Sequence, residues 1–115
     1  MYKFSYAEIL EDDVREARIR EQAAIDRAIE LMTLAEERGP QSPEASEAVG
    51  YVQKLWSYLI KDLVDPGNEL AETLKADLIS IGLWAIKEAD RVIKDPSKNF
   101  LALIDVNKTI RNGLK

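Results

Sequence analysis

Twenty-one carboxylates and sixteen lysines and arginines carry all the charge of this 115-residue chain, which has no histidine and no cysteine. Zinc sites built on Cys and His, disulfides, thiol nucleophiles, Ser-His-Asp triads and histidine general bases are therefore all excluded. The densest acidic group, Glu11-Asp12-Asp13 with Glu16, offers the oxygens that calcium or magnesium takes. It lacks the alternating ligands and central glycine of an EF-hand loop, and acids at a helix N-terminus complement the helix dipole without any metal. Di-metal bundle sites use Glu-x-x-His motifs, which this chain cannot supply. Paired carboxylates could hydrolyse glycosides, but that chemistry needs a cleft that a small helical domain is not expected to hold. The expectation is a protein that is not an enzyme, with no metal and no cofactor.

Two other groups of residues could make contacts with a partner. Lys98, Lys108, Arg111 and Lys115 give the last twenty residues a charge of +3 on a chain whose net charge is -5 and whose pI is about 4.8. Phe100 among them could stack on a base. An acidic chain without interleaved exposed aromatics is a poor phosphate-backbone binder, so direct nucleic-acid binding is not expected. The stretch from Asp77 to Ile86 is apolar nearly all round and carries Gly82 in its middle. An interior glycine costs a helix about 1 kcal/mol relative to alanine, so Gly82 implies the close crossing of another helix. Either this helix buries all its faces in a bundle centre, or Ile79, Leu83, Trp84 and Ile86 form an apolar groove for a partner helix. Tyr51 and Tyr58 could extend such a groove, whereas Trp56 reads as core.

The elements that must position these residues are helices. Five Gly and four Pro punctuate the chain at Gly39-Pro40 with Pro43, at Pro66-Gly67, at Asp95-Pro96 and near the C-terminus. Ser5-Tyr6-Ala7-Glu8 is a capping box, with Phe4 and Ile9 as a hydrophobic staple. From it the chain either kinks near Asp12, leaving a short extra N-terminal helix, or runs on as one helix to Arg38. Ser42 as N-cap and Pro43 at N1 open a second helix. Its apolar residues Ala45, Ala48, Val49, Val52, Leu55, Trp56, Leu59, Ile60 and Leu63 follow helical spacing without a miss. Asp65-Pro66-Gly67-Asn68 is a turn signature. A third helix runs from about Glu69 to Lys94, with the stripe Leu70 or Ala71, Leu74, Leu78, Ile81, Gly82, Ala85, Ala89 and Val92. Asp95 as N-cap and Pro96 at N1 then open a fourth, with the stripe Phe100, Leu103, Ile104, Asn107 and Ile110, ending at Gly113.

Short connections between four helices predict an all-α, antiparallel four-helix bundle, one domain over residues 1–115. No apolar run reaches the ~18 residues that span a bilayer, and Met1 to Ser5 lacks a signal-peptide core, so a cytoplasmic location is expected.

Several blocks together resemble a known family. Met1-Tyr2 with Ser5-Tyr6-Ala7-Glu8, the block from Leu78 to Trp84, Ser97-Lys98-Asn99-Phe100, and the ending from Leu103 to Leu114 are similar, in the same order, to the FlaF family of flagellar biosynthesis regulators of alphaproteobacteria. Residues 36–50 and 61–76 match least distinctly. The resemblance implies action on flagellin, linking its synthesis to assembly, in company with the regulator FlbT, which acts on flagellin messenger RNA. It implies a cytosolic flagellin-binding protein, either a secretion chaperone or a regulator that senses free flagellin. The alternative is a post-transcriptional regulator acting on that messenger directly or through an FlbT-type partner. No family motif assigns contact residues. Apolar surplus and location nominate Ile79, Leu83, Trp84 and Ile86, with Phe100, Ile104 and Arg111 in support.

Overall fold

A computed structural model describes the backbone of residues 6–113 and the side chains of residues 15–113. The acidic group at residues 11–13, the capping box and the staple lie outside the described side chains. Four helices follow in order: α1 (Tyr6–Arg38), α2 (Pro43–Val64), α3 (Glu72–Lys94) and α4 (Leu101–Gly113). The all-α bundle expected from the sequence is the observed fold. The first segment is one helix of 33 residues with no break near Asp12.

α1 ends where the sequence places its stop, at Gly39, whose φ of +98° only glycine adopts cheaply and whose N–H closes onto the Ala35 carbonyl at 2.9 Å. Ser42 then caps α2: its hydroxyl accepts from the Ala45 N–H at 3.2 Å and donates to the Gly39 carbonyl at 2.6 Å. The next two connections depart from expectation. Asp65 accepts from the Gly67 N–H at 2.7 Å and Asn68 accepts from the Leu70 N–H at 3.0 Å. These two successive side-chain turns hold the backbone out of helix, so α3 starts at Glu72 and not at Glu69, with Ala71 as a cap that contributes no side chain.

Likewise Asp95 and Pro96 do not open α4. The Asp95 carboxylate accepts from the N–H and hydroxyl of Ser97 at 3.0 and 2.7 Å, and Asn99 accepts from the Leu101 N–H at 3.0 Å. Pro96 therefore sits in a turn, and the helix begins at Leu101. Its first donor is satisfied from another helix: the Phe100 N–H donates to Glu36 Oε2 of α1 at 2.7 Å.

Around the bundle α1 packs on α2 and α4, α2 packs on α3, and α3 touches α4 most lightly, so α2 and α4 face each other across the centre. The core joins Ile25, Ala28, Met32 and Ala35 of α1 to Val52, Leu55 and Trp56 of α2, Ala85, Ala89 and Val92 of α3, and Phe100, Leu103 and Ile104 of α4. Trp56 crosses the centre. Its Nε1–H donates to Asn107 Oδ1 of α4 at 3.1 Å, and Asn107 Nδ2 donates to the Leu103 carbonyl at 2.8 Å. Both side chains are fully buried, and among the described residues no buried side-chain polar atom lacks a partner. The indole lies against Gly82 of α3, where an added Cβ would meet Trp56 Cε3 at 2.8 Å and Ile60 at 3.0 Å. Gly82 is thus the close helix crossing its sequence implied.

Two glycine substitutions separate packing from propensity. Gly82→Ala gains about 1 kcal/mol of helix propensity but overpacks the indole at about 1–3 kcal/mol, so the urea midpoint falls. Gly50→Ala in α2 meets nothing within 4 Å, so the midpoint rises by the equivalent of about 0.5–1 kcal/mol. Replacing Asn107 by Leu leaves the buried Trp56 N–H without an acceptor and costs about 1–3 kcal/mol in the same measurement.

Candidate functional site

The seven residues nominated from the sequence do not form one surface. At about 100° per residue, Ile79, Leu83 and Ile86 share the flank of α3 that leans on α2, while Trp84 projects from a different side. Leu83 is 48% exposed, Ile86 and Trp84 are half-buried against the core, and Ile79 is half-buried. The Ile86 carbonyl accepts from Gln53 Nε2 of α2 at 3.2 Å, and Ile79 borders a shallow hollow with Leu63, Val64 and Lys75 at the α2–α3 corner.

Phe100 and Ile104 must be corrected. They are 2% and 7% exposed, because α4 is amphipathic and turns its whole Phe100, Leu103, Ile104, Asn107 line into the centre. Phe100 cannot stack on a base, and Ile104 shows only an edge, in a shallow hollow with Thr33, Glu36 and Leu101. Arg111 is engaged within the chain, its Nε donating to Asp26 Oδ1 of α1 at 2.9 Å. Tyr58 is open on α2, and Tyr51 is half-buried against the core.

The basic end of the chain is also largely committed. Lys98 Nζ donates to both Glu88 oxygens, at 3.0 and 2.9 Å, and Arg91 adds a contact at 3.3 Å. The Lys98 hydrogen bonds, ahead of the desolvation that opposes them and with Arg91 assisting, hold the nearly buried Glu88 carboxyl below its ordinary range. With Arg111 on Asp26, only Lys108 remains as an exposed cation of α4 among the described residues.

A different apolar surface appears where α4 stops. The contacts of Phe100 with Glu36 and of Arg111 with Asp26 show that α4 runs antiparallel along the later half of α1 only. At about 1.5 Å per residue its 13 residues cover about 20 Å, against about 33 Å for the 22 residues of α2 and about 35 Å for the 23 of α3. Past the level of Gly113 the described residues belong to α1, α2 and α3. The inner line of α3 continues there through Leu78 and Leu74, each one heptad back, from Ala85 and Ile81 respectively. The sequence reads Leu74 as core stripe; it is 45% exposed. On α1, Ile19 lies two turns before Asp26 on the face that α4 would have covered, and is 63% exposed. Leu63 of α2 is buried beneath, and Leu59 and Leu78 are half-buried.

One charged group stands at this open end. Glu21 occupies the inner line of α1, one turn before Ile25. Burial first, then the like charge of Asp62 on α2, push its carboxyl up, and Arg18 and Arg20 offset this only in part.

The two perturbed carboxyls oppose each other in sign. Glu88 is depressed in the folded chain, so it contributes stability above the unfolded carboxyl range that is lost as pH falls through its lowered value. Glu21 is raised, so its ionised form costs stability at neutral pH, and the cost disappears as acidification protonates it. Glu88→Gln therefore lowers the thermal midpoint at pH 7 and loses its effect near pH 3, whereas Glu21→Gln raises the midpoint at pH 7.

Among the described residues no three carboxylates approach as a metal site would require, and no helix is long and apolar enough to cross a membrane. No curated protein and no solved structure matches the chain. A family model described as "Flagellar protein FlaF" matches residues 2–114, nearly the entire sequence, and the chain belongs to the FlaF family of flagellar proteins.

Proposed function

We propose that this flagellar protein binds flagellin in the cytosol as a secretion chaperone and thereby couples flagellin synthesis to assembly. Its action is reversible protein binding, without catalysis or a cofactor. The observation that carries this reading is the apolar surface left beside α1 and α3 where α4 ends, Ile19, Leu74 and Leu78, in a chain of the FlaF family. Apolar surface placed between helices suits an amphipathic helical ligand. Flagellin polymerises through amphipathic helical ends, and covering one of them would keep the subunit from assembling before export.

The alternative, direct action on flagellin messenger RNA, has less support. Two of the basic residues it would use are occupied by Glu88 and Asp26, and its one candidate stacking ring, Phe100, is core. An indirect route through an FlbT-type partner would use the same kind of protein contact.

Size-exclusion chromatography with light scattering, on this protein mixed with monomeric flagellin and with flagellin lacking its terminal helices, tests the proposal. The expected result is a stoichiometric complex that persists at high salt and vanishes on truncation. An absence of complex at micromolar concentrations removes direct flagellin binding and turns attention to the messenger and to FlbT.

A further inference from the structure

We propose that the outer seam between α2 and α3 is a docking surface for an acidic amphipathic helix of a partner protein. The inference goes beyond the flagellin-binding reading and does not rest on it: the seam is a second contact, on a different flank of α3 from Leu74.

The most extensively packed pair of helices in the bundle builds this seam. At one end Gln53 Nε2 donates to the Ile86 carbonyl at 3.2 Å, in the middle Ile60 lies over Gly82, and at the other end Val64 and Ile79 line a shallow hollow, so the two helices run antiparallel. Ser57, Ile60 and Val64 follow one another at helical spacing along the seam side of α2, and Ile79, Leu83 and Ile86 do so along α3. From Gln53 to Val64 the two rows run side by side for about 16 Å, three helical turns. Leu83 is 48% and Val64 61% exposed, while Ile60, Ile79 and Ile86 are half-buried between them. Side chains of a third helix pack between two such rows, and the small exposed residues Ser57 and Ala76 let its backbone come close.

Lysines on the two rims set the charge of the ligand. Lys54 and Lys61, the only basic residues of α2, lie one heptad apart outside Ser57, and Lys87 lies one turn from Leu83 on the outer side of α3. All three are exposed, and none has an ion pair among the described residues. The carboxylates of these turns point elsewhere. Asp62 stands on the side of α1, where its charge acts on Glu21, and Asp77 falls on the flank of α3 with Ile81 and Trp84. At the ends of the seam Lys94 takes Asp90, Lys75 takes Glu72, and the Gly67 N–H takes Asp65. A helix whose apolar stripe fills the seam brings its flanking side chains to the three free ammonium groups, which attract carboxylates and repel lysine or arginine. A second copy of the chain fits poorly, because two-fold pairing through this face sets its lysines against one another. An anionic bilayer is repelled by the net charge of -5.

Calorimetry on the full chain with two synthetic helical peptides of about twenty residues tests the proposal, one carrying a leucine stripe flanked by glutamates and the other lysines in the glutamate positions. Thermal melting checks the folding of each variant. The glutamate peptide is expected to bind, less tightly as salt rises, and the lysine peptide at least about tenfold more weakly. Lys54→Glu combined with Lys61→Glu, at exposed positions, is expected to reverse that preference. Leu83→Asp is expected to weaken the glutamate peptide at least about tenfold while the chain stays folded. Leu101→Asp, exposed on the outer side of α4, is expected to change nothing.

No binding of the glutamate peptide, equal affinity for both peptides, or a preference that survives the double lysine exchange overturns the site. Binding of the wild-type chain to phosphatidylglycerol vesicles that the same exchange abolishes makes the face a lipid contact and overturns it too, as does a dimer of the chain alone that Leu83→Asp dissociates. Displacement of the glutamate peptide by monomeric flagellin identifies the seam with the flagellin contact and overturns its separate role.

Discussion

The hydrogen bond from Trp56 to Asn107 joins the two helices that stand diagonally across the bundle, and much of the remaining structure is arranged to permit it. An indole reaching that far from α2 needs a surface to lie on, and Gly82 of α3 supplies one by having no side chain. It also needs an acceptor in a place without water. Asn107 offers its carbonyl oxygen and gives its amide to the Leu103 carbonyl one turn back, so a polar pair is buried with neither member wanting. The bond fixes the rotation of α4 as well as its position. With Asn107 turned inward, Phe100, Leu103 and Ile104 must turn inward too.

A helix of 13 residues is short to hold its place by apolar burial, and α4 is tied at both ends by polar contacts with α1. Glu36 takes the N–H of Phe100 at its start, and Asp26 takes Arg111 near its end. Lys98 on Glu88 anchors the preceding turn to α3. These ties engage Lys98 and Arg111, two of the four basic residues that make the end of the chain stand out in sequence. At the far end of the bundle, in a protein of the FlaF family, Ile19 of α1 and Leu74 of α3 stand exposed.

How far sequence served to read this molecule depended on whether the determining contacts were local. The start of α2 was legible because Ser42 caps with its own hydroxyl and Pro43 follows it. The stop of α1 was legible because Gly39 alone tolerates its φ. The starts of α3 and α4 were not. Asn68, Asp95 and Asn99 all bind backbone two residues on, a competition that looks like a helix cap in one dimension, and the true cap of α4 comes from Glu36, 64 residues away. The close crossing at Gly82 could be inferred from its cost. The exposed apolar surface could not be read from apolar surplus, because surplus does not say which faces a neighbour covers: Phe100 and Ile104 went inside, Ile79 and Ile86 leaned on α2, and Leu74, counted as core, stayed open.

Amide hydrogen exchange on the chain with and without its monomeric flagellin tests the central claim most directly, because it reports position without any substitution. The account expects added protection at residues 17–24 of α1 and 72–81 of α3, around the exposed Ile19 and Leu74, with α4 itself little changed. Protection confined to the Leu83 flank of α3 or to the outer side of α4, with those two segments unaffected, would contradict it.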